Sequence, residues 1–381
     1  MCTQVIPFDP TQDSPAFLAN VPAKWAVYLL TDANDLPFQL LCVKNLRSSV
    51  ATRLAEHPAD EKTRSIPYRQ VVRNIHYLRV DSELEADWRY QTLLQQLFPQ
   101  AYRLMLADRE FWFISTDLAK PLPRFIATNQ PLTGPADSTF GPIGNKHSAG
   151  KCVELIQDAF DLCRYYSILT QTPAGQACAY KQMQKCPAPC DGSISMPMYQ
   201  QMIQSAAGFL ADPHPFITQH EQRMQAAAGT LQFEAAGKIK AFVQQLQSLT
   251  ANHFKNIVPL PQLQFAAILR GPSARQIKLM LLSPREVRLI GEYGPDDTDD
   301  ALVQLATPPA FPPESPANPP DADAPARLAL ICQHLIYPGR HGVLIPMHDL
   351  STSTIHAARQ TLARRKPDPD TGEGLVQETR Q

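Results

Sequence analysis

Several common signals are missing from this sequence. No apolar run approaches the length of a bilayer-spanning helix, so a membrane protein is not expected. Neither sign of charge prevails, because 35 Lys and Arg residues face 36 Asp and Glu residues for a net charge of −1, and any nucleic-acid surface must therefore be local. The first residues lack the basic and apolar segments of a secretory signal, which predicts a reducing, cytoplasmic compartment.

Cysteine, by contrast, is present in a pattern. Four of the eight cysteines, Cys163, Cys178, Cys186 and Cys190, fall in one stretch of 28 residues, whereas the others are scattered. Four converging thiolates can hold a structural zinc or an iron–sulfur cluster. Only Cys186 and Cys190 are close in sequence, which departs from the two close pairs of a zinc ribbon and favours iron–sulfur. Four buried thiols without a ligand remain the alternative.

Proline is abundant, with 36 residues, and much of it is concentrated towards the end of the chain. The stretch 308–325 holds eight prolines and no periodic apolar pattern. Together with the acidic run before it, this composition predicts a disordered or polyproline-like linker over 296–326. The tail, 365–381, has the same character and is expected to be disordered.

Short apolar runs and helical patterns alternate over residues 1–130 and predict a small α/β unit. Two of the runs are separated by a turn signal and predict a β-hairpin. A helix is predicted over 82–99, with Ser82 as its N-cap and Glu85 closing a capping box. The predicted elements are the hairpin strands WAVYLLTD (25–32) and FQLLCVK (38–44), a helix NLRSSVATRLAEH (45–57), a strand VRNIHYLRVD (72–81), the helix 82–99, and strands EFWFISTD (110–117) and RFIATN (124–129).

Beyond the cysteines, apolar residues recur at spacings of three and four over 220–246 and predict a pair of helices. Such a pair cannot bury its apolar face alone, so it packs either on its own domain or on a partner. Three alternating segments then predict an antiparallel β-meander: LQFAAILRG (263–271), QIKLMLLS (276–283) and EVRLIGEYG (286–294). Three isolated histidines are expected to be surface residues: His341, His348 and His356.

The order of these elements resembles the UvrC family, the excinucleases of bacterial nucleotide excision repair. WAVYLLTD is similar to the Gly-Val-Tyr-Leu strand of the family's GIY-YIG nuclease domain, and KNLRSSV (44–50) to its Lys-Asn-Leu-Arg helix start. The segment from Ser82 to Ile114 aligns with the family without a gap, and FGPIG (140–144) is similar to a Phe-Gly-Pro element. The last two cysteine spacings are also those of the family, and the resemblance covers roughly residues 20–295.

The resemblance implies an α+β multidomain fold. It begins with a degenerate GIY-YIG-like α/β domain and a cysteine-rich helical connector, and continues with a UVR-type helical hairpin and a small antiparallel β-rich domain. The expected boundaries are 1–20 for an N-terminal extension, 21–130 for the GIY-YIG-like domain, 140–215 for the connector, 216–252 for the hairpin and 260–350 for the β-rich domain, which the linker 296–326 interrupts.

The nuclease positions implied by the resemblance are only half kept. Tyr28 stands at the first tyrosine of the motif and Arg47 at its arginine, whose charge would stabilise the attacked phosphate. The second tyrosine is replaced by Leu41 or Cys42. The metal-binding glutamate is replaced by Tyr90, and a phenol is a poor magnesium ligand, so no magnesium site is expected.

One carboxylate could stand in for the missing glutamate. Asp87 lies one helical turn before Tyr90 and is the alternative metal ligand. The family's second nuclease, an RNase H-like domain, has no counterpart, because no constellation of Asp, Glu and His with room for it follows the hairpin.

For the other segments the resemblance implies binding. Cys163, Cys178, Cys186 and Cys190 would hold a four-iron, four-sulfur cluster, with structural zinc as the alternative. The hairpin would pair with a UvrB-like protein, as UvrC does with UvrB. The candidate partner-binding residues are Met224, Leu231, Phe233, Ile239 and Phe242, and the candidate DNA-binding residues are Lys44, Arg47 and Arg53, for which an ordinary solvated face is the alternative.

The expected function is that of a non-catalytic UvrC-like protein associated with nucleotide excision repair, which binds a UvrB-like partner and has DNA as a further candidate ligand. Two alternatives stay open. One is an active single-site GIY-YIG endonuclease that uses Tyr28, Arg47 and Asp87. The other is an iron–sulfur redox or metal sensor on a relic nuclease scaffold.

Overall fold

The computed structural model describes residues 4–55, 67–106, 110–132, 137–307 and 321–365. Helices accompany three four-stranded sheets, in which all paired strands run antiparallel, and the expected α+β class is confirmed. The chain divides into two compact units, residues 1–109 with 264–381 and residues 110–263. Residues 308–320 of the predicted linker 296–326 and nearly all of the tail (366–381) lie outside the described residues. The linker prediction is wrong for Asp299–Ala306, which form a helix because Thr298 caps the segment and Leu302 and Ala306 are buried.

The first unit begins with a four-stranded sheet and its accompanying helices. Its elements in chain order are β1 (Gln4–Pro7), α1 (Ser14–Ala19), β2 (Ala26–Thr31), β3 (Pro37–Val43), α2 (Leu46–Leu54), α3 (Tyr68–Val71), β4 (Asn74–Arg79), α4 (Glu83–Leu97) and α5 (Tyr102–Met105). The strand order is β1-β4-β2-β3, so the segment expected to be an extension contributes an edge strand. The predicted hairpin is confirmed as β2 and β3, which pair antiparallel.

Helix α4 begins where the sequence predicts, but its cap differs. The Ser82 hydroxyl accepts a hydrogen bond from the Glu85 amide at 3.3 Å, as expected of an N-cap. Glu85 does not close a capping box on Ser82. Its carboxylate instead accepts from the Asp81 amide at 3.1 Å and from Lys278 Nζ, because the buried ammonium draws the carboxylate towards it.

The second unit is built on one sheet with order β6-β5-β7-β8. Its elements are β5 (Trp112–Asp117), β6 (Ile126–Thr128), β7 (Asp137–Ile143), α6 (Lys146–Ala159), α7 (Tyr166–Leu169), α8 (Ala179–Gln182), α9 (Met196–Ala211), α10 (Pro213–Gly229), α11 (Phe233–Asn252) and β8 (Val258–Pro259). Gly141 of the FGPIG segment is required here, because a Cβ would stand 2.5 Å from Phe113 Cδ1. Strands β5 and β6 pair within this unit, so the boundary falls at residue 110 and not near 130.

The C-terminal part of the first unit contains the predicted meander. Its elements are β9 (Phe265–Arg270), β10 (Ile277–Leu282), β11 (Val287–Tyr293), α12 (Asp299–Ala306), α13 (Ala324–Ile336), β12 (Gly342–Pro346) and α14 (Thr352–Arg364). The order β11-β10-β9-β12 confirms the meander and adds a fourth strand. One face of this sheet packs against α12 and α14, while Lys278 lies on the other face. No helix in the described ranges combines the length and apolarity needed to cross a membrane.

Candidate functional site

Tyr28, at the position of the first GIY-YIG tyrosine, lies in a buried core. It stands on β2 with none of its surface exposed, and its hydroxyl is 2.8 Å from Ser49 Oγ on α2. Burial raises the pKa of Tyr28, and the hydrogen bond with Ser49 and the charge of Arg53 offset that rise only in part. A substrate cannot reach this hydroxyl unless the core opens, so Tyr28 has a structural role in this conformation.

Tyr90, at the position of the metal-binding glutamate, lies across the sheet from Tyr28. It is 5% exposed and packs in a buried cluster with Val27, whereas Tyr28 belongs to a separate cluster. Because successive strand residues point to opposite faces, Tyr28 and Val27 mark the two sides of the sheet. Leu41 lies with Tyr28, and Cys42 packs against the cluster of Tyr90. The positions that resemble the nuclease residues therefore do not converge on one point.

The three predicted DNA-binding cations lie on or beside α2. Arg47 is exposed, and its Nε donates to a backbone carbonyl at 2.7 Å. Arg53 donates from Nη1 to the Tyr68 hydroxyl at 3.2 Å. The Lys44 ammonium is 5.4 Å from the centroid of the Trp25 ring, within the range of a cation–π contact. Each cation has an intramolecular partner, so the patch is less open than a row of free side chains.

Asp87, the alternative metal ligand, is bound by a histidine. Its Oδ2 is 3.0 Å from Nε2 of His334 on α13. One turn earlier, Glu83 lies 3.0 Å from Nδ1 of His341 and accepts from the Arg340 amide at 3.1 Å. His341 is 6% exposed, so the expectation of a surface histidine is wrong for this residue. Its burial follows from the Glu83 carboxylate, which supplies the hydrogen bond that a buried imidazole needs.

These contacts fix the charge state of Glu83. Burial alone would raise the pKa of Glu83, but hydrogen bonds from His341 and from backbone amides outweigh burial and lower the pKa to about 2. The carboxylate is therefore ionised throughout the neutral range.

The first acidic turn of α4 is bound in the same way, by a lysine. Lys278 Nζ lies 2.7 Å from Asp81 Oδ2 and 2.8 Å from both carboxylate oxygens of Glu85. The side chains of Lys278 and Glu85 are 4% and 3% exposed. Burial lowers the pKa of Lys278, but the charge of Glu85 and the hydrogen bonds to both carboxylates outweigh it and raise that pKa. The acidic face of α4 thus serves to hold the C-terminal segment of its own unit.

The cysteine segment lies in the second unit, and three of its thiols are buried. Cys163 follows α6, while Cys186 and Cys190 flank a loop that contains Ala188 in the left-handed region at φ 55°. Cys163 Sγ lies 3.5 Å from the Tyr165 carbonyl oxygen, and Cys163 and Cys186 belong to one buried cluster. Cys178 precedes the one-turn helix α8 and is only half-buried. The structure therefore buries three of the four predicted ligands and brings Cys163 and Cys186 into the same core.

Of the three buried thiols, Cys186 has a lowered pKa, which favours its thiolate form. The neighbouring Cys163 thiol is the main reason that the pKa of Cys186 falls to about 6, with help from the Ala188 amide and the charge of Arg164. The interaction with Cys186, together with burial, raises the pKa of Cys163, and burial raises that of Cys190. Soft thiolate donors suit iron–sulfur or zinc chemistry. Within the described ranges, however, no group of three or more His, Cys, Asp or Glu side chains is arranged to hold a single metal ion.

The predicted helical hairpin is present as α10 and α11, and its two ends differ. Near its base, Phe242 packs against Phe160 and His220, with ring centroids 6.1 and 5.3 Å apart. Near its tip, Leu231 is 74% and Phe233 66% exposed. Met224 and Ile239 are intermediate in exposure. Of the predicted partner-binding residues, Phe242 is therefore committed to its own unit and the tip pair is free to meet a partner.

Sequence reasoning missed the residues that bind α4. Lys278 interrupts the apolar strand QIKLMLLS, and a lysine in a strand buried on both faces was the available signal for an internal carboxylate partner. His334 and His341 carried no comparable signal, since their partners lie more than two hundred residues away in sequence. His348 and His356 have side chains that are 59% and 62% exposed, as expected.

Comparison with known proteins relates this architecture to a family. A family model described as the middle domain of UvrC/Cho excinuclease matches residues 111–209, which start at the boundary of the second unit and contain the four clustered cysteines. This segment is thus similar to the middle domain of UvrC/Cho excinucleases. The search of solved structures returned no match.

Relatives match over a longer stretch. UvrABC system protein C of Nautilia profundicola is 26% identical over 66% of this chain and 41% of its own length. The proteins of the same name from Helicobacter hepaticus and Clostridium botulinum are 26% and 28% identical, over 61% and 63% of this chain and 38% and 40% of their own lengths. The chain is thus similar to the UvrC family, and it spans about two fifths of the length of these curated relatives.

Proposed function

We propose that this chain acts in nucleotide excision repair as a binding component and not as a nuclease. In this role the hairpin docks on a UvrB-like partner, and the cysteine segment carries a metal cluster. The observation that carries the proposal is the separation of Tyr28 and Tyr90 on opposite faces of one sheet. A metal-assisted nuclease needs its ligand, its cation and its hydroxyl around one phosphate.

The alternative of a single-site endonuclease has less support. Its carboxylate would be Asp87, which lies 3.0 Å from His334 and would have to leave that partner to bind a metal ion. Its tyrosine would be Tyr28, which is fully buried. Both changes require the first unit to open around α4 and β2.

Support for docking comes from the hairpin tip. Large exposed apolar side chains are typical of binding surfaces, and an aromatic residue commonly anchors such a surface. Phe233 and Leu231 are adjacent to the turn, where Leu231 adopts a positive φ of 61°. Met224 and Ile239 flank the tip with partial burial and would extend the contact along the helices. An apolar helical hairpin on a UvrB-like protein is the matching partner.

Support for a cluster comes from the chemistry of the thiols. Cys163, Cys178, Cys186 and Cys190 would hold it, and the lowered pKa of Cys186 favours the thiolate form that a metal ligand needs. Structural zinc needs all four donors at about 2.3 Å from one ion. The described residues contain no such ready group, and a multi-iron cluster, whose ligands bind different irons, suits the arrangement better. When bound, the cluster would supply a covalent link between the segments and a one-electron redox centre.

DNA contact would come from three cations on or beside α2. Lys44, Arg47 and Arg53 share one region of the first unit and would offer phosphate contacts without base recognition. Their existing contacts with Trp25, a backbone carbonyl and Tyr68 would limit the gain in affinity.

A capture experiment with a UvrB protein tests the docking role. We expect the wild-type chain to retain UvrB and Phe233→Asp to lose at least about tenfold in affinity, since a charge would enter an apolar contact. Leu104→Asp is the matched control, because Leu104 is an 81% exposed apolar residue in the other unit. Undiminished capture by Phe233→Asp would refute docking through the tip.

A nicking assay on damaged duplex DNA with Mg²⁺ or Mn²⁺ tests the absence of nuclease activity. We expect no metal-dependent nicking. Nicking that disappears in Arg47→Ala would instead support the endonuclease alternative. The redox-sensor alternative predicts that capture of UvrB changes reversibly when the iron-loaded protein is oxidised and reduced.

A further inference from the structure

Strand β12 forms one edge of the C-terminal sheet. In the order β11-β10-β9-β12 it pairs on one side with β9, and no further strand of the described ranges pairs with its other side. An edge strand carries a row of backbone donors and acceptors that can pair with another extended chain. The outer side of β12 is therefore a place where a partner can add a strand.

The register shows how β12 directs its backbone groups. The Arg270 amide donates to the His341 carbonyl at 2.8 Å, and the Met347 amide donates to the Gln264 carbonyl at 3.0 Å. Leu344 lies midway between His341 and Met347, three positions from each. Because the bonding side alternates from one residue of an antiparallel strand to the next, the N–H and C=O of Leu344 point away from β9.

The neighbours of Leu344 on this outer edge offer fewer groups. The Gly342 carbonyl accepts a hydrogen bond from Arg365 Nη1 at 3.3 Å. Pro346 has no N–H to donate. Leu344 therefore presents both an amide and a carbonyl to one residue of an added chain, and a short extended segment is enough to use them.

The same leucine points to a particular face of the sheet. Ile345 and Ile268, the sequence neighbours of Leu344 and Leu269, belong to the cluster that packs against α12 and α14. Successive strand residues point to opposite faces, so Leu344 and Leu269 lie on the other face. Residues paired directly across neighbouring strands point to the same face. A residue added opposite Leu344 would thus direct its side chain to the face of Leu344 and Leu269.

A cavity of about 270 Å³ lies against these two leucines. Its other apolar walls include Leu84 at the start of α4 and Leu335 at the end of α13. Sites for whole small molecules usually span about 300–1,000 Å³, so this smaller cavity suits one large apolar side chain. The side chain of the residue added opposite Leu344 would enter it.

A cation stands at the Gly342 end of the cavity. Arg365 is exposed, lines the cavity and donates to backbone carbonyls, that of Arg340 at 2.7 Å, and in the part of the chain that the structure describes no carboxylate pairs with it. Glu83 also lines the cavity, but its carboxylate is bound by the His341 ring and two backbone amides. An acidic side chain opposite Gly342 would therefore complement the charge of Arg365.

We propose that the β12 edge binds a short extended peptide of a partner protein, with a large apolar residue opposite Leu344 and an acidic residue opposite Gly342. The peptide backbone pairs with the amide and carbonyl of Leu344, the apolar side chain fills the cavity, and the acidic side chain meets Arg365. Main-chain bonds supply the affinity of such an added strand, and the cavity supplies its specificity. The site belongs to the first unit and does not depend on docking through the helical hairpin.

Fluorescence polarisation with a labelled synthetic heptapeptide and the full chain tests the proposal. The probe has a central leucine, a glutamate two residues after it, and valine or threonine elsewhere, so that an antiparallel strand sets the glutamate opposite Gly342. We expect saturable binding, and a loss of at least about fivefold when the amide of the central leucine is methylated, because the donor to the Leu344 carbonyl is removed. Equal binding of the methylated probe overturns strand addition, and no saturable binding of the unmodified probe overturns the site.

A variant that fills the cavity tests where the apolar side chain goes. Leu335→Trp should weaken binding of the probe by at least about tenfold. Leu305→Trp is the matched control, because Leu305 is 48% exposed on α12 of the same unit. Equal melting temperatures of the two variants show that folding is not the cause. Undiminished binding by Leu335→Trp overturns the placement of the leucine in the cavity.

A charge exchange tests the acidic position. Arg365→Glu should weaken binding of the probe, and a second probe with lysine in place of the glutamate should recover it. If both probes bind both proteins equally, the pairing with Arg365 is wrong.

Two other occupants of the edge would give different results. A dimer of the chain that the probe dissociates would assign the edge to a second copy. Tighter probe binding in Leu375→Asp would assign it to the chain's own C-terminal residues. Either result overturns the proposal of a separate partner.

Discussion

The two units differ in what became of the positions that resemble UvrC functional residues. In the first unit, Tyr28 and Tyr90 are packed into separate cores, and Asp87 is bound to a histidine. In the second unit, Cys163, Cys186 and Cys190 are buried, and the hairpin tip is exposed. A metal-dependent nuclease centre requires open carboxylates, and the first unit has used its own for packing.

Helix α4 illustrates how carboxylates of the first unit are used in internal contacts. In a nuclease the helix would present a carboxylate to a metal ion, and here its acidic side chains hold the C-terminal segment through Lys278, His334 and His341. The same charges that could attract a metal ion act as internal ion pairs. The acidic residues of α4 therefore differ from open metal ligands in their partners as well as in their identity.

The largest expected effect concerns Lys278. Lys278→Met should destabilise the first unit by about 3–5 kcal/mol, because it leaves Glu85 buried without its counter-ion. Urea unfolding followed by fluorescence measures this best in a Trp112→Phe background, where the remaining tryptophans, Trp25 and Trp88, lie in the first unit. Lys238→Met is the control, since its pair with Glu234 is 78% and 87% exposed and should contribute under about 1 kcal/mol. A loss as small as that of the control would show that Lys278 does not hold α4.

Placing a glutamate at position 90 should not create nuclease activity in the first unit. Tyr90→Glu places a carboxyl group in a site that is 5% exposed, and we expect it to cost about 3 kcal/mol and to produce no nicking. Burial would raise the pKa of the new group, so the stability loss should grow as pH rises above about 4.3, its unfolded value. Tyr90→Phe, which keeps the ring, should lose less stability than Tyr90→Glu. Metal-dependent nicking by Tyr90→Glu would show that the first unit can still form a nuclease centre.

Glu83 should make the first unit sensitive to acid. Its pKa falls from 4.5 to about 2 on folding, so its contribution is complete above about pH 4.5 and is lost as pH falls towards 2. The contribution is at most about 3 kcal/mol, because one pKa unit corresponds to about 1.4 kcal/mol. Comparing wild type with Glu83→Gln by urea unfolding between pH 5 and about pH 2.5 measures it. Parallel stability curves for the two proteins would contradict this role of Glu83.

The smallest expected effect concerns DNA. The combined substitution of Lys44, Arg47 and Arg53 by alanine should lower affinity for duplex DNA by about threefold to tenfold and reduce its dependence on salt. Lys238 and Lys240, on the hairpin, are the control positions. If the triple variant and the variant with alanine at Lys238 and Lys240 show the same salt dependence of DNA affinity, then Lys44, Arg47 and Arg53 do not bind DNA.

Local patterns in the sequence predicted the local structure well. The hairpin β2–β3, the Ser82 cap, the helical hairpin and the meander follow from periodicity and capping residues, which act over a few positions. The partners of α4 could not be predicted in this way. Glu83 and His341 are 258 residues apart, and no local pattern specifies which of several carboxylates a distant histidine will meet.

The sequence by itself determined the elements, the α+β class and the grouping of four cysteines in one segment, because propensity, periodicity and spacing are properties of neighbouring residues. Only the tertiary structure decided that Tyr28 and Tyr90 lie on opposite faces of a sheet and that Asp87 is bound to His334. It also decided that Cys178 is more exposed than the other three cysteines of its segment. Burial and long-range pairing depend on which surfaces meet when the chain folds, and no pattern of neighbouring residues specifies them.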